Sequence, residues 1–227
     1  MIITIDGPAG SGKSTAARKL AAKLGIAYLD TGAMYRAIAL AALQENVPLG
    51  DERALIELAR KCEILVDCVP THTRVTLNGT DVSEAIRTMA VSQATSFVAR
   101  TTEIRGILVE KQREIGRRLG SLVTEGRDQG SVVFPDADVK FFLDASIEKR
   151  AERRYQEMVA EGEEASYQAI LQNLRHRDGN DCHQWAPLLR PEGAIRIDTT
   201  NMSIHDVVER LRHDIAARHP VPDPPVP

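Results

Sequence analysis

Residues 7–14 read Gly7-Pro8-Ala9-Gly10-Ser11-Gly12-Lys13-Ser14, a Gly-x-x-x-x-Gly-Lys-Ser string followed by Thr15. The chemistry these residues suit is phosphate binding. Glycines let backbone N–H groups turn inward around phosphate oxygens, and a helix opening at Lys13 points its positive end at them. Lys13 has the reach for the outer phosphates of a nucleoside triphosphate, and the Ser14 hydroxyl suits Mg²⁺. The setting supports this reading over a chance glycine turn. The apolar run Ile2-Ile3-Thr4-Ile5 precedes the loop, and Ala16, Ala17, Leu20, Ala21 and Leu24 share one helical face after it. The loop leaves open what receives the phosphoryl group.

Other residues suggest an anionic acceptor. Tyr35 and Arg36 fall one turn into a helix, where acids are ordinarily favoured. Arg36 there reads as a clamp on an anion, or else as a solvated cation. Gly126-Arg127-Asp128-Gln129-Gly130 follows a strand. It reads as a turn with an internal ion pair, or as a rigid site with Arg127 for phosphate and Asp128 for a base. An aspartate accepts well from the exocyclic amine of cytosine. Arg150, Arg153 and Arg154 lie on one helix, with Arg150 and Arg154 sharing a face. Arg175 and Arg177 precede Asp178 and Asp181, beyond the charged break Glu161-Gly162-Glu163-Glu164. The first cluster alone also reads as a solvated face, paired with Glu148 and Glu157. Flanking a break beside a phosphate loop, they resemble a lid that brings charge to transferring phosphates. The six histidines show no zinc spacing and no nucleophile partner, and Trp185 reads as packing for the lid base.

The elements that must position these groups alternate. Residues 2–5, 27–29, 121–124, 139–143 and 194–197 read as strands, with helices between, so a doubly wound five-stranded parallel sheet with helices on both faces is expected. In such sheets ligands bind beyond the C-terminal strand ends, where Asp6–Ser14, Asp30–Arg36, Arg127-Asp128 and Asp144 all fall. Thr31 is the expected cap of the helix over about 33–45, and Asp51 to Lys61 is another helix. Residues 63–67 and 73–77, joined through Asn78-Gly79 to Asp81-Val82, form a hairpin foreign to a parallel sheet. About residues 62–100 therefore read as an insert, in which Ser83 caps a helical turn. A helix over about 102–119 follows. Later helices are expected from Ser146 to about Ala160 and over about 165–177, followed by a polar stretch from Asp178 to Gln184. Ser203-Ile204-His205-Asp206 has capping-box form.

At 227 residues the chain suffices for one α/β domain with insertions. Its net charge of −3 argues against a global basic field for nucleic acid or membrane. No apolar run approaches the roughly 20 residues of a membrane span, and no signal peptide is visible. Cys62, Cys68 and Cys182 lack ligand spacing and read as reduced thiols of a cytoplasmic protein.

Seven segments, in order, resemble the bacterial cytidylate (CMP) kinases of the nucleoside monophosphate kinase group. They are residues 3–14, Leu29-Asp30-Thr31-Gly32-Ala33-Met34-Tyr35-Arg36, Asp81-Val82-Ser83-Glu84-Ala85-Ile86-Arg87, Glu125-Gly126-Arg127-Asp128, Val132-Val133-Phe134-Pro135-Asp136-Ala137, Phe142-Leu143-Asp144-Ala145 and Ala186-Pro187-Leu188. The phosphate loop alone is unspecific; the second and fourth segments, with the hairpin insert, are specific. The resemblance implies transfer of the γ-phosphoryl group of ATP to CMP and dCMP, with Mg²⁺; a monomer is the default reading, because no exposed apolar stripe is obvious. It implies a core of residues 1–30, 101–158 and 186–219, an acceptor region of 31–100 and a lid of 159–185; residues 220–227 read from their proline content as a disordered, extended tail, or else a docking motif. Thr31, Tyr35 and Arg36 are implied to touch the acceptor nucleotide, and Ser96, Arg105 and Asp128 to read cytosine. Arg127 would take phosphate or base. Arg177 and Asp181 would reach acceptor phosphate and sugar from the lid. Arg150 and Arg154 would serve the ATP side, beside Gly7 to Thr15. Lys13, Arg36, Arg154 and Arg177 would carry the transfer.

Two positions depart from the family pattern. Gln184 follows Arg177-Asp178-Gly179-Asn180-Asp181-Cys182-His183 where the family's lid has an arginine, a loss that Arg190 could offset. Gln129 stands where an apolar residue is expected. Other readings are a UMP- or shikimate-type kinase, or a non-catalytic nucleotide switch, against which the lack of Asn-Lys-x-Asp counts.

Overall fold

The computed structural model describes residues 1–160, 162, 164–185 and 191–219. Its centre is a parallel five-stranded sheet of β1 (Ile2–Asp6), β2 (Ala27–Asp30), β6 (Leu122–Gly126), β7 (Val139–Asp144) and β8 (Ile195–Asp198). The order is β2-β6-β1-β7-β8, so the strand that feeds the phosphate loop is central. Ile3 and Ile5 are fully buried, as a strand covered on both faces requires. One face packs against α1 (Lys13–Leu24) and α8 (Ile204–Arg218), through Leu20, Phe141 and Leu211. The other packs against α2 (Thr31–Gln44), α3 (Glu52–Lys61), α4 (Met89–Arg100) and α5 (Thr102–Leu119), through Leu29, Ile38, Ile104 and Leu122.

The insert is a separate antiparallel sheet of β3 (Ile64–Val69), β4 (His72–Leu77) and β5 (Thr80–Asp81). Asn78 and Gly79 both have positive φ, at 48° and 81°, which is the tight hairpin that the Asn-Gly pair demands. Thr73 pins this sheet to the core. Its Oγ1 accepts the Asp30 N–H at 3.0 Å and donates to the Tyr28 carbonyl at 2.7 Å, which covers the open edge of β2.

Several local expectations need correcting. Thr31 does not cap α2. Asp30 does, accepting the Ala33 N–H, and the Thr31 hydroxyl donates instead to the Glu125 carbonyl. Ser83 caps no helical turn; its Oγ accepts the Val75 N–H and holds the hairpin. After α6 (Ile147–Ala160), α7 runs unbroken from Tyr167 to Trp185, through the stretch expected to be irregular. A π-helical turn, Gln129–Val133, was not foreseen. The capping box of Ser203 and Asp206 is present. Ala186-Pro187-Leu188, Arg190, the side chains of Cys182, His183, Gln184 and Trp185, and the 220–227 tail lie outside the described residues. No helix among the described residues is long and apolar enough to cross a membrane.

Candidate active site

Parallel register brings three strand ends level. Asp6 sits beside Gly126 and Phe142, and Asp30 beside Glu125. The phosphate loop leaves β1 here. Gly7 has φ 155°, and a Cβ there would lie 2.1 Å from the Leu143 carbonyl oxygen, so only glycine fits. Gly12, left-handed at φ 83°, caps α1 without a side chain, and the first turn carries no acid. Its N–H groups are thus left to an anion.

Lys13 is buried and donates to the Pro8 carbonyl at 3.0 Å. Burial, then the nearby Arg127 guanidinium, pushes its ammonium down to about 7, against the pull of Glu125. Ser14 Oγ donates to Glu125 Oε1 at 2.9 Å. Burial raises the Glu125 carboxyl above the ordinary carboxylate range, and Lys13 opposes that rise. A hydroxyl and a buried carboxylate at the loop's end are hard oxygen ligands. They fit a Mg²⁺ ion otherwise held by phosphates and water.

On one side of the phosphate loop, a cleft of about 200 Å³ lies between Ser11, Gly12, Thr15, Arg153 and Thr199, with Met202, Ile204 and Val207 as apolar lining. Arg153 Nη1 donates to Thr199 Oγ1 at 3.2 Å and so forms part of the wall. The two arginines singled out from the sequence lie elsewhere on α6. Arg150 is buried. It donates to the Ala9 carbonyl at 3.0 Å and holds both Asp178 oxygens, at 3.0 and 2.6 Å. It therefore ties the phosphate loop to α7. Arg154 faces outward and pairs with Glu157 at 3.3 Å.

Around the other strand ends lies a set of ion pairs. Asp30 Oδ1 caps α2, while Oδ2 accepts from Arg36 at 2.9 Å and Arg87 at 2.8 Å. Burial alone would raise its carboxyl, but the two guanidinium groups and the capping N–H hold it below the usual range. Arg36 Nε is buried and has no acceptor among the described residues, a donor left for an anionic ligand. Arg105 Nη2 pairs with Asp128 Oδ2 at 2.8 Å, and Arg105 and Gln112 lie near the Tyr35 phenol and oppose the rise in its pKa. Burial, then the Asp128 charge, raises the Tyr35 phenol. Arg127 Nε pairs with Asp181 at 2.8 Å. Arg177 on α7 keeps an accessible side chain, yet the protein around it and then Arg127 lower its pKa. Ser96 is exposed and donates to the Gln93 carbonyl within α4.

Ion pairs and electrostatic neighbours thus link Lys13, Arg36, Arg127, Arg177 and Asp181, and, through Asp6, Asp128 with Arg105 and Tyr35, while Arg154 is exposed and pairs with Glu157. Sequence reasoning placed Asp6 and Asp30 at the strand ends and Arg153 in an arginine cluster without giving any of them a role, and gave none to Arg87 or Glu125. Asp6 is buried and accepts the Gln129 and Gly130 N–H groups at 2.9 and 2.8 Å; burial still lifts its carboxyl to about 7. The available signal for three of these residues was an acid closing or nearly closing an apolar strand, as in Ile5-Asp6, Leu29-Asp30 and Thr124-Glu125.

A family model described as cytidylate kinase matches residues 3–217. A protein named cytidylate kinase from Caldanaerobacter subterraneus subsp. tengcongensis is 51% identical over 210 residues, 92% of each chain. One of the same name from Bacillus subtilis is 45% identical, covering 92% of this chain and 93% of that one. A solved structure of an uncharacterized protein from Eubacterium ventriosum, 13% identical, superposes with a TM-score of 0.50 over 96% of this chain and 99% of that one, and speaks for the fold alone. With a family match that spans nearly its whole length, the chain belongs to the cytidylate kinase family.

Proposed function

We propose that this chain transfers the γ-phosphoryl group of ATP to CMP, and also to dCMP, giving ADP and CDP or dCDP. The observation that carries the reading is the position of Lys13. It hydrogen-bonds the phosphate loop while Arg127, Arg177 and Asp181 act on its charge from the acceptor side. One cation therefore serves two anionic ligands. The acceptor phosphate is already an anionic nucleophile at neutral pH, so no dedicated base is required. Phosphoryl transfer then depends on in-line positioning and on charge spread over the equatorial oxygens. Lys13 takes the donor's outer phosphates; Arg36, Arg127 and Arg177 take the acceptor phosphate as their carboxylate partners yield. Asp128, oriented by Arg105, accepts from the cytosine amine, with Tyr35 alongside. Ser14, backed by Glu125, would hold Mg²⁺, which supplies charge neutralisation between donor phosphates. Ser96 and Thr31 line the acceptor side, and Arg153 flanks the donor base.

The protein is read as a cytoplasmic monomer that acts on free nucleotides, without nucleic acid or membrane. Buried Cys62, and Cys68 with a thiol pushed up to about 12 by burial, fit a reducing compartment. The deciding experiment is ADP release from ATP and Mg²⁺ across CMP, dCMP, UMP and shikimate. CMP and dCMP are expected to drive turnover, and Lys13→Ala to lower kcat by orders of magnitude while melting like the parent. ADP release independent of acceptor, or preference for UMP or shikimate, overturns the reading.

A further inference from the structure

Asp6 is fully buried, yet phosphoryl transfer as laid out above gives it no role. A buried carboxylate is costly unless hydrogen bonds match it. Both of its oxygens are matched across the sheet. Oδ1 accepts the Gln129 N–H at 2.9 Å and Oδ2 the Gly130 N–H at 2.8 Å, from the two residues directly after Asp128. Asp128 closes the same turn: its carbonyl accepts from the Val132 and Val133 N–H groups at 2.8 and 3.2 Å, and its Oδ2 accepts from Arg105. Arg113 on α5 holds the far end. It donates through Nη2 to the Val132 carbonyl at 2.7 Å and through Nε to the Val133 carbonyl at 3.1 Å. The Gln129 side chain, polar where an apolar one was expected, is matched by Thr124 Oγ1 at 2.9 Å and Gln112 Oε1 at 3.0 Å. Gly130 lies flush on β1, where a Cβ would meet Thr4 Oγ1 at 2.8 Å.

Asp6 also ends the strand that feeds the phosphate loop, and Gly7 follows it directly. One carboxylate therefore ties the backbone beside Arg127 and Asp128 to the start of the donor loop. We propose that Asp6 is a positioning residue for the acceptor site: its two oxygens set the Arg127–Asp128 segment against the phosphate loop. It acts through the turn and not on a nucleotide. In Asp6→Asn the side-chain carbonyl still accepts one N–H, but the amide NH₂ is turned toward the other. Two donors then face each other and the turn is displaced. The phosphate loop keeps its own tether, from Arg150 to the Ala9 carbonyl. The loss therefore falls on the acceptor side. The proposal rests on the reading that Arg127 and Asp128 serve the acceptor nucleotide.

The test is a double-mutant cycle on full-length protein, with Asp6→Asn, Asp128→Ala and the double variant. Kd for CMP and Kd for ATP are measured by calorimetry, with a thermal melt as the folding control. The titrations are run at pH 8, where the Asp6 carboxyl, lifted to about 7 by burial, is ionised. Asp6→Asn is expected to weaken CMP about tenfold, the scale of one hydrogen bond to a charged group, with ATP within about twofold. In the Asp128→Ala background the same change is expected to cost CMP clearly less, because part of its effect runs through Asp128. A merely structural role would weaken both nucleotides and add in full. Should Asp6→Asn fail to fold, Arg113→Met loosens the same turn from its far end and is expected to weaken CMP about threefold while sparing ATP. The proposal is overturned if Asp6→Asn, or Arg113→Met in its place, leaves CMP binding unchanged or weakens CMP and ATP alike, or if Asp6→Asn adds in full to Asp128→Ala. Arg127→Ala separates the two levels. If both Arg127→Ala and Asp128→Ala leave CMP binding unchanged, the acceptor-site reading falls and the proposal with it. If they weaken it and Asp6→Asn does not, only the proposal falls.

Discussion

A lysine buried at the mouth of a phosphate loop is a titrating group in the working range of the protein. The Lys13 ammonium is pushed down to about 7 by burial and then by Arg127. Phosphate oxygens favour the charged form, so its pKa rises when a nucleotide binds. Above pH 7, binding must take up a proton, and affinity falls as pH rises, by up to tenfold per unit. Calorimetric titration of ATP at pH 8, in two buffers of different ionisation heat, should show uptake approaching one proton. Lys13→Arg stays charged throughout and should abolish it; equal heats in both buffers for the parent would contradict the assignment. Asp128 carries a second residue-level prediction. Asp128→Ala removes the acceptor for the exocyclic amine, a contact worth about 1–3 kcal/mol. KM for CMP should rise roughly tenfold to a hundredfold with little change for ATP, and equal loss on both sides would argue against base reading. The phosphate loop and the Gly-Arg-Asp turn were legible because their chemistry is local. Asp30 and Glu125 were not singled out, since each gains its role from strands that meet only in the sheet, Asp30 beside Glu125.

At the scale of elements, α7 is the instructive one. Its stretch from Asp178 onward is polar and holds a glycine, and reads as irregular on local propensity. The helix persists there because its acids are matched from other elements: Asp178 by Arg150 on α6, and Asp181 by Arg127 after β6. Leu171 and Leu174 also pack with Ala9 of the phosphate loop and Ala151 of α6. Such pairings have no signature in the window that local reading uses. They make a prediction about local opening. Asp178→Ala removes a two-oxygen contact to a buried guanidinium, worth about 2 kcal/mol. Amide exchange in α7 should quicken roughly thirtyfold, while α1 and α8 keep their protection. Unchanged exchange in α7 would show that apolar packing alone holds it. The hairpin and the last helix, in contrast, were legible. Asn78-Gly79 and the Ser203–Asp206 box each encode their geometry within four residues.

At the scale of the whole molecule, Thr73 is one joint between the insert and the core. Thr73→Val keeps the shape but leaves the Asp30 N–H and the Tyr28 carbonyl without their partner at the β2 edge. At about 1–3 kcal/mol for each unsatisfied group, the loss is roughly 2–6 kcal/mol. For a chain of this length that is a drop in melting temperature of about 4–24 °C. A change under about 2 °C would mean that the joint is carried by apolar packing of the insert. The alternation of strands and helices made the parallel sheet legible. Which strand end meets which was not, because strand order is a property of the assembled sheet. The ion pairs around the cleft have a further consequence, for the speed of encounter. Arg36 and Arg87 share Asp30, and Arg105, Arg127 and Arg150 each carry a carboxylate. A nucleotide still a Debye length away meets closely spaced dipoles whose fields cancel, not a bare basic funnel. Association rates for both nucleotides should therefore change little between low and physiological ionic strength. The arginines declare their charge only to a phosphate that has already arrived.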